Sequence, residues 1–96
     1  MNPAGTITLD SIVAQSETVV SAEVGAEVVM LHVDRNAYYD TDAIGAQIWR
    51  RMMQPVLVRD IRDGLLHQYA VDADTCAGDV LAFLREAYSE GVIRII

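Results

Sequence analysis

Two histidines and one cysteine are the side chains of this 96-residue chain best suited to metal binding or nucleophilic chemistry. Zinc sites place such ligands at short fixed spacings, for example two histidines four residues apart on one helix, and neither His32 nor His67 has a second strong ligand at such a spacing. Cys76 has no adjacent histidine in the sequence. A reactive thiol also needs an electropositive, accessible setting, which this acidic chain does not offer. We therefore expect surface or structural histidines, Cys76 in the core, and no metal and no cofactor.

Paired carboxylates are the next candidates, since they can perform acid-base catalysis. Asp60 and Asp63 alternate with arginines on the wet side of a helical pattern, whereas Asp72 and Asp74 stand where another helix starts and can cap it. The sequence contains no glycine-rich phosphate loop, no G-x-S-x-G elbow and no acidic cluster suited to calcium or magnesium. The sequence therefore predicts a protein that is not an enzyme.

Charge and composition restrict the partners and the compartment. A net charge of −7 repels phosphate backbones and anionic lipid, so we expect no nucleic acid and no membrane partner. The chain lacks an apolar run long enough to span a bilayer and lacks a signal peptide, and its single cysteine fits a reducing compartment. We expect a cytoplasmic protein with one domain at residues 17–96, after a flexible lead-in at residues 1–16 that can add a minor strand.

The elements begin with two valine-rich segments, "ETVVSAEV" (17–24) and "EVVMLHV" (27–33), joined through Gly25 and Ala26 as in a β-hairpin. The turn "DRN" then leads to a short third strand, "AYYD", which completes a three-stranded antiparallel sheet. On the second strand we expect Val29, Leu31 and Val33 to face the helices and His32 to face solvent.

Three helices are predicted to follow the strands. Asp42 can cap the first, "AIGAQIWRRMM", in which Ile44, Ile48, Trp49 and Met52 form the apolar stripe. The second covers about residues 57–69 and lacks a good cap, and the third runs from Asp72 or Asp74 to Gly91. After it, "VIRII" is expected to lie extended on the body. The order β-β-β-α-α-α predicts an α+β, winged helix-turn-helix-like domain.

Three functions are compatible with such a domain. A winged-helix nucleic-acid binder is disfavoured because the third helix carries Asp79, Glu86 and Glu90 against only Arg85. The free edge of the third strand could instead receive an extended peptide as an added strand. The same edge could complete the fold of a larger protein as a structural partner, or could pair with a second copy in a homodimer.

Three segments of the sequence and two further positions resemble the family of the pyrroloquinoline quinone biosynthesis protein D. They are "EVVMLHVDRNAYYDTDAIGAQIW", "YAVD" (69–72) and "DVLAFLREAYSEGVI", with Ile61 and Leu65. That family supplies the RiPP recognition element, which binds leader peptides in pathways that modify ribosomally made peptides. The resemblance covers about residues 17–94 and is greatest to the stand-alone recognition proteins of lasso-peptide biosynthesis. Thr41 departs from the family, which commonly has leucine there, so we expect the corner between strand and helix to pack differently.

The resemblance implies that the leader of a precursor peptide binds as a strand beside the third strand, in a groove whose other wall is the third helix. The protein would then present the precursor to a separate leader protease and to other modifying enzymes. On the strand, the implied leader-binding residues are Asn36, Ala37, Tyr38, Tyr39 and Asp40. On the helix, spacing favours Asp79, Ala82, Phe83 and Glu86.

Two expectations follow from these assignments. Strand alternation turns one of Tyr38 and Tyr39 toward the helices and leaves the other free, and Ala37→Pro should weaken leader binding more than folding. Residues 1–48 carry seven acids and one arginine, Arg35, a balance of −6, so a leader with lysine or arginine should bind in a salt-dependent manner.

Overall fold

The structure, a computed structural model, describes residues 7–96. In chain order these residues form β1 (Ile12–Gln15), β2 (Val19–Val24), β3 (Glu27–His32), β4 (Ala37–Asp40), α1 (Ala43–Arg50), β5 (Val56–Leu57), α2 (Val58–Gln68), α3 (Ala73–Ser89) and β6 (Ile93–Ile95). Of the predicted lead-in, residues 1–6 lie outside the described residues, and the domain boundary at residue 16 stays a prediction.

The predicted meander is present as the antiparallel sheet β2-β3-β4. Gly25 adopts a φ of 65° in the turn between β2 and β3, a conformation in which glycine has no steric cost. In the register of the sheet, Leu31 of β3 lies opposite Val20 of β2 on one side and opposite Tyr38 of β4 on the other. The sheet followed by three helices confirms the predicted α+β class.

A second antiparallel sheet, β5-β1-β6, was not predicted. Its central strand comes from the segment expected to be a lead-in, and Val13 and Ala14 on it are buried. The terminal segment "VIRII" supplies β6, which pairs Ile95 with Val13, while the two residues of β5 pair with the start of β1. These strands are too short for a periodic pattern to identify them in the sequence.

The predicted orientation of β3 is wrong. Val28, Met30 and His32 face the interior, and Val33 is exposed. Side chains do alternate along β3, but the position of α1 decides which face of the sheet is covered. α1 packs against the face that carries Met30 and its partner on β2, Ser21. Ser21 Oγ accepts from Trp49 Nε1 of α1 at 3.2 Å. His32 is therefore only 6% exposed rather than in solvent.

The helix ends follow the predicted caps. Asp42 Oδ1 accepts from the N–H of Gly45 at 2.7 Å, and Asp72 accepts from the N–H of Thr75 at 3.0 Å. α2 starts without a side-chain cap, as expected, and Gly91 follows α3 with a φ of 79°. α1 ends at Arg50, earlier than expected, and Ile44 is exposed although the rest of its predicted stripe is buried.

Cys76 is buried in the core, as predicted, and burial raises the pKa of its thiol. This setting keeps the sulfur protonated and unreactive. Within residues 7–96, no three His, Cys, Asp or Glu side chains come together as a potential metal site. None of the helices in this part of the chain has the length and apolar content needed to cross a bilayer.

Candidate functional site: a cleft between β4 and α3

An open cleft of about 220 Å³ lies between β4 and α3. Met30 and Val92 form its apolar floor together with Ala87, and Tyr39 forms part of the strand wall. The full lining is Met30, Tyr39, Asp40, Thr41, Asp42, Phe83, Glu86, Ala87, Glu90 and Val92. The cleft thus joins a sheet edge to a helix face.

The backbone of β4 presents hydrogen-bonding groups to the cleft. The N–H of Thr41 donates to the carbonyl of Val28 at 3.0 Å, which makes these two residues a hydrogen-bonded pair of the β3–β4 ladder. Backbone groups point alternately to the two sides of a strand. With the observed register, the N–H groups of Ala37 and Tyr39 therefore face β3, and those of Tyr38 and Asp40 face outward.

This alternation changes the expected effect of Ala37→Pro. From the sequence, the N–H of Ala37 was predicted to be a donor on the free edge of β4. In the structure, the pairing register places this N–H on the side of β4 that faces β3. Proline there would remove a bond of the sheet itself rather than one available to a ligand. Tyr38 and Asp40 carry the available donors.

The two tyrosines are on opposite faces of β4. Tyr39 lies opposite Met30, packs against the core and lines the cleft. Tyr38 lies opposite Leu31 on the other face of the sheet and is 71% exposed. Tyr39 is therefore the ring that faces the cleft, a point that alternation alone left open.

α3 supplies the second wall through Phe83, Glu86, Ala87 and Glu90, which repeat at three- and four-residue steps along one helix face. The ring of Phe83 packs closely on the start of α1: a Cβ added to Gly45 would lie 2.9 Å from Phe83 Cε1. Glycine at position 45 is thus what allows the ring to approach the backbone. This contact fixes the end of the cleft at the corner between β4 and α1.

The corner contains Thr41, the residue that departs from the family pattern. Thr41 is 9% exposed, and its Oγ1 accepts from the N–H of Val28 at 3.3 Å. A leucine side chain could not make this bond. The hydroxyl therefore satisfies a buried donor at the point where β4 turns into α1.

Of the nine residues assigned from the sequence, the cleft brings together Tyr39, Asp40, Phe83 and Glu86. The other five lie outside its lining. Asp79 instead borders a second, apolar cavity of about 140 Å³ between α1, α2 and α3. Leader contact by any of the nine stays a prediction: Asn36, Ala37, Tyr38, Tyr39, Asp40, Asp79, Ala82, Phe83 and Glu86.

Sequence reasoning missed several lining residues, among them Met30, Asp42 and Glu90. Glu90 lies one helical turn after Glu86, so continuing the same helix face by one turn would have identified it. Met30 was missed because the opposite face of β3, that of Val29, Leu31 and Val33, was expected to pack on the helices. Asp42 was identified as a cap, and it serves both as the cap and as part of the cleft wall.

The cleft is strongly acidic. Four acidic residues line it: Asp40, Asp42, Glu86 and Glu90. Strand alternation turns the Asp40 side chain to the face opposite Tyr39, so the carboxylates on the cleft side are those of the other three residues. The guanidinium of Arg35, at the end near Glu90, donates to the Glu90 carbonyl at 2.8 Å. Such a rim favours a ligand that carries positive charge.

Among residues 7–96, β2 forms the other edge of the sheet, whereas the sequence predicted one free edge at the third strand. Its Glu23 is held by Arg50 through two bonds of 2.9 Å, and this pairing lowers the pKa of Glu23 from its ordinary value and raises that of Arg50. A charged pair at an edge disfavours pairing with a further strand. β4 has no such ion pair among the described residues.

Two solved structures resemble this fold. TbiB1 in complex with the TbiA(beta) leader peptide is 32% identical, with a TM-score of 0.80 over 84% of this chain and 94% of that chain. Lasso peptide synthetase B1 complexed with the leader peptide is 17% identical, with a TM-score of 0.76 over 85% of this chain and 96% of that chain, and supports the fold alone. No curated protein matched in sequence.

The family model for coenzyme PQQ synthesis protein D (PqqD) matches residues 27–93, more than half of the chain. The match runs from β3, through the cleft and all three helices, to the start of β6. With its RiPP recognition element fold, the chain belongs to the PqqD family.

Proposed function

We propose that this protein binds the leader of a ribosomally made precursor peptide, in a lasso-peptide pathway, as an extra strand on β4. The observation that carries the proposal is the outward-facing N–H groups of Tyr38 and Asp40 beside a cleft closed by α3. Main-chain bonds to a strand edge supply affinity, and a cleft beside the edge supplies selectivity through alternate side chains. A structure 32% identical, TbiB1, is a complex with a leader peptide, which supports leader binding by this chain.

The role proposed here is capture without catalysis. The carboxylates in the cleft stand on an open rim, and Cys76 is buried in the core. A fluorescein-labelled leader, titrated with the protein and followed by fluorescence polarisation, tests the capture. Saturable binding is expected, whereas an unlabelled leader of reversed sequence should not compete. A duplex DNA of similar charge should not bind.

Salt should weaken leader binding if the leader carries lysine or arginine. The acidic residues that line the cleft attract such a peptide, and added ions screen exposed charges over about 8 Å at physiological ionic strength. We expect the association rate, measured by stopped flow, to fall between 50 and 500 mM salt by about tenfold, as in other electrostatically steered encounters. An association rate that does not change with salt would contradict this prediction.

Delivery to the leader protease needs a surface that stays accessible when the cleft is filled. The face of β2-β3-β4 that points away from the helices meets this condition, because Val20, Leu31 and Tyr38 form an apolar row across it. Val20 is 56% exposed. Glu27 and Asp40 lie on the same face, so the complementary protease surface would be apolar with a basic rim.

Val20→Glu should therefore slow removal of the leader by the protease of the same pathway by about fivefold, because an apolar contact is replaced by a buried charge. Leader affinity should not change. Met53→Glu, which likewise replaces an exposed apolar side chain by glutamate, at a site 75% exposed on a different surface, is the matched control. Equal cleavage rates for the two variants would contradict docking on this sheet face.

A further inference from the structure

We propose that Arg35 is a positioning residue for leader binding, because it ties β4 to α3 and so fixes the width of the cleft. The inference rests on the proposed function for the ligand, but the link itself belongs to the free protein. Arg35 lies in the turn between β3 and β4, only two residues before β4 starts. Its Nη1 donates to the carbonyl of Glu90, the C-terminal cap residue of α3, at 2.8 Å.

The helix end is a favourable place for this guanidinium. The last carbonyls of a helix have no partner within the helix and carry partial negative charge, so a cation that donates to them is stabilised there. Arg35 makes no ion pair with a carboxylate among the described residues. The backbone carbonyl of Glu90 is therefore what holds the guanidinium in place.

Gly91, His32 and Asn36 surround the hydrogen bond between Arg35 and Glu90. A Cβ added to Gly91 would lie 3.1 Å from Arg35 Cζ and 3.2 Å from His32 Nε2, so the chain after α3 passes close to both side chains. The backbone N–H of Arg35 is 3.4 Å from His32 Nδ1, which accepts from it. Asn36 completes the turn with a φ of 49°, a left-handed conformation that asparagine tolerates. Turn, helix end and buried histidine thus form one connected unit.

The link between Arg35 and Glu90 lies at one end of the cleft, where it can fix the distance between β4 and α3. The cleft has one end at the Phe83–Gly45 contact and the other at Glu90 and Val92, beside Arg35. A peptide strand must fit about 4.8 Å from β4 while its side chains reach α3. With both ends fixed, the two walls are held at one separation before a peptide binds. With Arg35 removed, the turn and the end of α3 move independently, and binding must order them.

Three proteins test the inference: wild type, Arg35→Met and Arg35→Lys. Methionine retains an unbranched apolar stem but has no donor, whereas lysine keeps a donor and the charge. We expect Arg35→Met to bind the leader about tenfold more weakly, the scale of one lost hydrogen bond to a charged group, and Arg35→Lys to recover most of that loss. The variants are compared at 500 mM salt, where screening removes most of the effect that loss of the Arg35 charge has on a cationic leader.

Hydrogen exchange on the free protein gives a second readout that does not depend on any ligand. The amide of Tyr39 should exchange faster in Arg35→Met, whereas the amide of Val13 in the other sheet should be unchanged. If wild type does not bind the leader, the proposed function fails, but the exchange comparison still tests the link. Leader affinity within twofold of wild type and unchanged exchange at Tyr39 in Arg35→Met would overturn the inference, as would failure of Arg35→Lys to recover affinity.

Discussion

Replacement of Asp40 by proline is expected to reduce leader affinity by about 2 kcal/mol, close to 30-fold, while the free energy of unfolding changes little. Proline removes the outward N–H of Asp40, which leaves a peptide carbonyl without its donor. It takes no bond from the sheet, because Asp40 and Val29 form a non-hydrogen-bonded pair. Tyr39, which precedes it, is already extended, as proline requires.

Two further variants separate the possible causes. Asp40→Ala retains the N–H but loses the carboxylate, and should keep most of the affinity for the leader. Ala37→Pro should show the opposite pattern to Asp40→Pro: its N–H faces β3, so the free energy of unfolding should fall by about 1–3 kcal/mol. Fluorescence polarisation and urea unfolding measure the two quantities. Equal leader affinities for Asp40→Pro and Asp40→Ala would show that the peptide does not pair with β4.

Gly45→Ala is expected to destabilise the protein by about 1–2 kcal/mol, although alanine is the better helix former. The added Cβ would lie 2.9 Å from Phe83 Cε1 and 3.0 Å from Thr41 Cβ. The ring can rotate away, but Thr41 Cβ is attached to a buried backbone corner and has little freedom. A displaced Phe83 ring would move toward the cleft, so leader affinity should fall as well.

Gly78→Ala is the matched control on α3. A Cβ at Gly78 meets no heavy atom within 4 Å, so the substitution should stabilise the protein by about 0.5–1 kcal/mol through helix propensity alone. Leader affinity should be unchanged. Thermal unfolding of the two variants should therefore shift in opposite directions. A Gly45→Ala protein as stable as Gly78→Ala would contradict the tight contact at the corner.

The sequence was sufficient for the parts of the fold that local rules determine. The hairpin followed from valine-rich segments around Gly25, and the starts of α1 and α3 followed from Asp42 and Asp72. The site on β4 and α3 came from the family resemblance, and the structure places Tyr39 and Phe83 in one cleft. Caps and turns depend on neighbours within a few residues, which explains why they could be predicted.

Long-range packing accounts for what was missed. The second sheet joins β1 to β6, with Val13 opposite Ile95, and no local signal links segments so far apart. The orientation of β3 depends on where α1 lies, so His32 could not be assigned to the interior by alternation alone. The free donors of β4 required the register with β3, which moved the expected donor from Ala37 to Tyr38 and Asp40.

The alternation along β4 also limits how a peptide can be read. Only Tyr38 and Asp40 turn their backbone toward a ligand, so a docked peptide can move along β4 only in steps of two residues if its bonds are to be kept. A one-residue slip would turn every side chain that entered the cleft to the opposite face. The protein therefore inspects every second residue of a short stretch, and the intervening positions are free to vary between precursors that share one recognition protein.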